Sequence, residues 1–181
     1  MIDLLSIPPR RIVTGHLPNG SATVLYEGNG KVREITSPGE AESAKFAVLW
    51  QEKQPTNNVS PVEDLAEVDV SIARGDGSVC RVVDMPPHHS SQMHRTVSLD
   101  YGIVLAGNLE LELETIDGPN EFRKLQVGDV VVQRGTNHAW HNRGDTWGRM
   151  VYVLLGAEKI TLNGKTIEPV AHNISGGKLA D

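Results

Sequence analysis

Two short stretches of the chain carry the residue types that do chemistry. In MHRTVSLD an imidazole, a hydroxyl and a carboxylate stand at His94, Thr96 and Asp100. Alternate side chains of a strand share a face, so His94 and Thr96 point the same way and Asp100 joins them after a turn. Further along, HAWHN sets His138, Trp140 and Asn142 on one face of a second strand. Two imidazoles and one carboxylate are the ligand set of many non-haem Fe(II) sites, with positions left open for substrate. Without a metal, the same groups move protons. A third account is a polar cluster that is buried and merely satisfied.

Other residues could shape such a site. Gly102 shares a face with Asp100 and would leave room beside it for a substrate, although a strand glycine also marks bulges. Trp140 offers an apolar wall and Asn142 a donor, with core filling and turn capping as the plainer roles. Tyr152 and Tyr101 carry hydroxyls that could act as acid or base; sheet packing is their ordinary use. Arg134 could meet an anion as a bidentate partner or form a surface ion pair. His88 and His89 lie in MPPHHSSQM, where a solvated loop competes with a role as replacement ligands. His141 alternates away from His138 and is expected to face solvent, as are His16 and His172. Cys80, in SVCRVV, reads as a small apolar filler rather than a nucleophile.

The elements that must position these groups are strands. From Val70 onward short apolar runs recur, each broken by Gly, Asp, Asn or Pro. In GNLELELETIDGPN the leucines 109, 111 and 113 alternate with glutamates 110, 112 and 114, giving one buried and one wet face. FRKLQVGDVVVQRG, HAWHN and GRMVYVLLGA continue the series, and Asn163-Gly164 sits at a type I′ hairpin position. Upstream, RRIVTGH, SATVLYE and KFAVLWQ form a strand extension, followed by a Pro-, Asn- and Ser-rich loop from Pro55 to Asp64. The expected division is an N-terminal strand extension and loop over 1–69, packing on or swapping into the barrel, a barrel core over 70–157, and a hairpin and tail of the same domain over 158–181.

Composition narrows the function. A chain of 181 residues suits a single core, and 18 glycines with 10 prolines favour turns over long helices. The net charge of −6, with no basic stripe, argues against a nucleic-acid partner. One cysteine allows no internal disulfide, and no apolar stretch is long enough for a signal core or a membrane span. The chain reads as cytoplasmic, and the sequons at Asn58 and Asn173 as chance matches.

MHRTVSLDYGIVLAG followed by GDVVVQRGTNHAWHN resembles the two consecutive motifs of the cupin superfamily, over about Val70 to Ala157. Aligned on Gly107, the motif's Glu falls on Asp100, its first His on His94 and its second His on Thr96. In the second motif Gly128, Gly135, His138 and Asn142 match, with Arg134 near the usual Pro and a turn one residue shorter. The resemblance implies a double-stranded β-helix, or jelly-roll barrel, often dimerised through N-terminal strands, so a homodimer is expected. It also implies a divalent metal ion (Fe, Mn, Ni or Zn) on His94, Asp100 and His138, one ligand short of the usual three His and one Glu.

Two functions follow as expectations. The first is a metal-dependent enzyme acting on a small organic molecule in biosynthesis or catabolism, by oxygenation, decarboxylation, dehydration or isomerisation, with Thr96, Gly102, Trp140, Asn142 and Tyr152 around the substrate. The second is a metal-free barrel, either a lyase or isomerase with His138 or Asp100 as base, or a small-molecule binding or sensor protein.

Overall fold

The computed structural model describes residues 7–35, 42–56, 58, 63–67 and 73–170. His172, Asn173, the start of the expected barrel core at Val70 and half of the Pro55–Asp64 loop lie outside them. The described chain runs β1 (Arg10–His16), β2 (Ala22–Asn29), β3 (Val32–Ile35), β4 (Ala44–Lys53), a single 3-10 turn at Leu65–Glu67, β5 (Gly77–Met85), β6 (Ser98–Ala106), β7 (Leu109–Leu113), β8 (Glu121–Leu125), β9 (Val130–Arg134), β10 (His138–Asn142), β11 (Gly148–Gly156), β12 (Thr161–Leu162) and β13 (Lys165–Thr166).

A six-stranded antiparallel sheet in the order β3-β4-β5-β11-β6-β9 faces a three-stranded sheet in the order β10-β7-β8. Alternation in each strand supplies the core between them. Val79, Val83, Val104, Met150 and Leu154 from the large sheet meet Leu109, Leu111 and Trp140 from the small one. The all-β, double-sheet barrel is therefore what the periodicity calls for. No helix among the described residues is long and apolar enough to cross a membrane.

Two turns show why glycine is needed where it stands. Asn163 and Gly164 both take positive φ, 51° and 75°, closing the β12–β13 hairpin as a type I′ turn requires. Gly107, at φ 83°, lies so close to the start of β11 that a Cβ would fall 2.7 Å from the Gly148 Cα.

The N-terminal ribbon β1–β2 folds back on the large sheet. Arg11 grips the Asp64 carboxylate through both of its terminal nitrogens, and the Tyr26 ring lies against Trp50. Its outer face leaves Ile12 and Val24 exposed. Just upstream, the Ile7 carbonyl accepts from Arg149 (3.3 Å), whose guanidinium also holds the Asp84 carboxylate at 2.6 and 2.8 Å on the outer face of the sheet.

Candidate functional site

His94 and His138 come together because the backbone pairs them. The His94 amide donates to the His138 carbonyl (2.8 Å) and the His138 amide to the His94 carbonyl (2.9 Å), an isolated antiparallel bridge. Directly opposed residues share a face, and the two rings lie 4.2 Å apart, tilted by 44°. Both are buried. The Nδ1 of His94 faces the Gln92 carbonyl at 3.0 Å. The Nδ1 of His138 lies 3.0 Å from the Thr136 carbonyl and 2.8 Å from the side-chain nitrogen of Gln133. In the tautomer that donates Nδ1–H to Thr136 the lone pair is on Nε2. Burial drops the His138 pKa to about 4, against the Thr136 hydrogen bond and with help from the nearby Arg81 cation, so the ring is neutral at neutral pH. Trp140 stands edge-on to both His138 (5.6 Å) and Tyr152 (5.5 Å) as an apolar wall.

Asp100 enters from the opposite sheet. Its place on β6, opposite Leu154 of β11 and Gln133 of β9, aims it inward with Gly102 and Val104. Ser98 donates to Thr96 (2.8 Å), and the Thr96 hydroxyl lies 3.5 Å from Asp100 Oδ2. The other oxygen, Oδ1, is buried without a hydrogen-bond partner. Burial raises the Asp100 pKa, opposed by Ser98, Arg81 and Thr96.

Of the residues expected to hold a metal, the structure pairs His94 with His138, and Asp100 faces them from the other sheet. Among the described residues no group of three or more His, Cys, Asp or Glu is placed to hold a metal ion. The structure gathers two imidazoles. Thr96, where a further ligand would stand, is spent on Ser98 and Asp100, and the Arg81 cation acts on both Asp100 and His138.

Several surrounding residues take other roles than expected. Gly102 does make room, but for Tyr152: a Cβ there would sit 3.1 Å from its ring and 3.2 Å from the Met150 methyl. Tyr152 is buried and donates to Met150 Sδ at 3.0 Å, and burial raises its pKa further from any use as an acid. Asn142 is a turn cap. Fully buried, it donates to the carbonyls of Met85 (3.0 Å), Pro86 (3.0 Å) and Thr146 (2.8 Å) and accepts from the Gly144 amide at 3.1 Å.

His141 corrects the expectation that it faces solvent. It is buried between Ser90 Oγ (2.9 Å) and Glu112 Oε2 (2.7 Å), because the loop before β6 covers the outer face of β10. The glutamate face of β7 is accordingly only half wet, Glu110 taking Arg143 and Glu112 taking His141 and Asn120. His89 is buried, whereas His88, at φ 57°, is exposed with Asp145 at 3.1 Å. Arg134 and Tyr101 lie on the exposed face. Cys80 is half-buried, and its thiol pKa is raised by burial.

One residue at the centre was not anticipated. Arg81 sits in the middle of β5, opposite Val48 of β4 and Tyr152 of β11, with its guanidinium 5.9 Å from the Tyr152 ring. The signal was present in SVCRVVD: Val79 and Val83 fix the inward register, and Arg81 falls between them.

No family model matches the sequence. Phomopsin biosynthesis cluster protein C' of Diaporthe leptostromiformis is 53% identical over 92 residues, covering 50% of this chain and 47% of that protein. The chain thus spans about half the length of that curated relative. The cupin-domain-containing oxidoreductase virC of Hypocrea virens is 36% identical over 164 residues, covering 84% of this chain and 78% of that protein. In structure, a cupin domain from Schizosaccharomyces pombe superposes with a TM-score of 0.51 at 14% identity, over 82% of this chain and 88% of that domain.

Proposed function

The chain belongs to the cupin superfamily, and on that premise we propose that it is a small-molecule enzyme of a biosynthetic pathway that moves protons between His138 and Asp100. One relative's name supports the setting: it is a biosynthesis cluster protein. The observation that carries the chemistry is His138, a buried neutral imidazole beside Thr136 and Gln133; in the tautomer that donates Nδ1–H to Thr136, Nε2 is the base. In this reading Nε2 takes a proton from a substrate carbon beside a carbonyl. Asp100, made the readier proton carrier by burial, returns one. Delivery to the γ-carbon of a β,γ-unsaturated substrate, whose double bond shifts into conjugation, completes an isomerisation, and delivery to a departing hydroxyl on the β-carbon completes a dehydration. Trp140 walls the site on its apolar side and keeps water from competing.

The test uses the intermediate that accumulates in a host strain lacking this protein. Incubated with purified protein in D₂O, it is expected to take up solvent deuterium, and His138→Gln should abolish that uptake while remaining folded. Elemental analysis of protein purified without tag or chelator runs alongside. A second reading, metal-dependent oxidation, is favoured by the name of the Hypocrea virens relative, an oxidoreductase. About one metal per chain, lost in a His94→Ala, His138→Ala variant, with turnover that consumes O₂ and incorporates no deuterium, would replace the first reading by the second.

A further inference from the structure

We propose that Arg81 is an anion receptor and that the substrate is a small organic acid whose carboxylate it holds. This rests on the reading of the barrel interior as the active site and names the class of molecule that enters it.

The register fixes where Arg81 points. On β5 the residues flanking it in the same phase, Val79 and Val83, are core residues, as are its cross-strand partners Val48 and Tyr152. An arginine between two paired strands, on the inward face, should be sealed. Arg81 as a whole is only half-buried, while its Nε is fully buried.

What the guanidinium meets there is incomplete. Its Nε is buried and bonded to nothing. Among the described residues it forms no hydrogen bond and no ion pair, and only the Tyr152 ring backs it, at 5.9 Å. Elsewhere the fold does satisfy its buried arginines: Arg149 and Arg11 each hold a carboxylate with two nitrogens. Asp100 lies close enough to act electrostatically on Arg81 yet leaves its own Oδ1 without a partner. Donors and acceptors unpaired side by side in a barrel interior cost stability unless something completes them. A planar carboxylate is what the guanidinium fork accepts, through two parallel N–H bonds. Asp100 Oδ1 would then accept from a hydroxyl or protonated oxygen on the same molecule. A substrate so anchored presents the carbon next to its carboxylate toward His138 and Asp100, the groups already positioned to move a proton.

Binding, rather than turnover, tests this. Isothermal titration of the full chain with acetate, oxalate and inorganic phosphate, after exhaustive dialysis against a neutral zwitterionic buffer, is expected to show saturable binding of at least one carboxylate. Phosphate should bind more weakly. Arg81→Lys, which keeps the charge and loses the fork, should weaken the carboxylate by tenfold or more, and Arg81→Met should bring it below detection. His138→Gln should bind it within threefold of the wild type, which separates this inference from the proton-transfer reading. If that variant binds normally but does no chemistry, both stand. If carboxylates bind through Arg81 but deuterium uptake fails, only the reaction is wrong. Absence of carboxylate binding to the wild type, or unchanged binding to an Arg81→Met variant whose circular dichroism matches the wild type, would overturn the proposal.

Discussion

The stability of the folded protein is expected to fall by about 2 kcal/mol between pH 7 and pH 5 and by about 3 kcal/mol near pH 4 through His138 alone. The folded-state pKa of this group is about 4, against 6.5 for the ordinary side chain. Between those values the unfolded chain binds a proton that the folded one refuses, so stability is lost as pH drops through 6.5 and the loss levels off below about 4. Asp100 acts in the opposite sense. Its raised pKa makes the folded state the better proton holder, so its contribution is present at low pH and disappears as pH rises through the folded value. Denaturant titrations of wild type and His138→Gln at matched pH values separate the two, because Asp100 contributes to both curves. The stability of the wild type relative to the variant should fall toward acid. A difference that stays flat from pH 7 to pH 4 would mean that His138 is not held neutral by burial.

Removing Arg149 should be more damaging still. Its guanidinium closes on Asp84 with two short bonds on a patch where both side chains are largely shielded, 8% and 14% exposed. Truncating one member leaves the other charge buried and uncompensated, which costs about 3–5 kcal/mol. For a chain of this size that corresponds to a melting temperature lowered by about 10 °C in Arg149→Met. A double variant, Arg149→Met with Asp84→Leu, should recover much of the loss, since it removes the stranded carboxylate as well. A single variant that melts within a degree or two of the wild type would show that water reaches Asp84 freely.

The barrel was legible because period-two alternation is a local signal. LELEL in β7 and the valines of β5 assign their faces without reference to any other strand. The Asn163-Gly164 turn was equally local, a matter of two residues that tolerate positive φ. What alternation does not report is what lies over the outward face. His141 was expected in water because it opposes His138 in phase, yet Ser90, fifty-one residues earlier, brings a loop across it and Glu112 closes the pocket. Gly102 shows the same limit on the inward side, where the space beside it belongs to Tyr152 of β11. The candidate metal set was read from residue types in a familiar order. Whether three side chains converge depends on distances between strands, which the order of residues does not report. Arg81 is the opposite case: an arginine in an apolar run signals nothing by its type, although the register alone places it inside.

The link between Arg149 and Ile7 joins a side chain to a main-chain oxygen. Any amino acid at that position presents the same carbonyl, so the docking is blind to the identity of residue 7 and sensitive only to the spacing between it and β1. Related sequences should therefore drift freely in composition over these positions while resisting insertions and deletions between residue 7 and the first strand, a constraint on length that per-position similarity scores would miss.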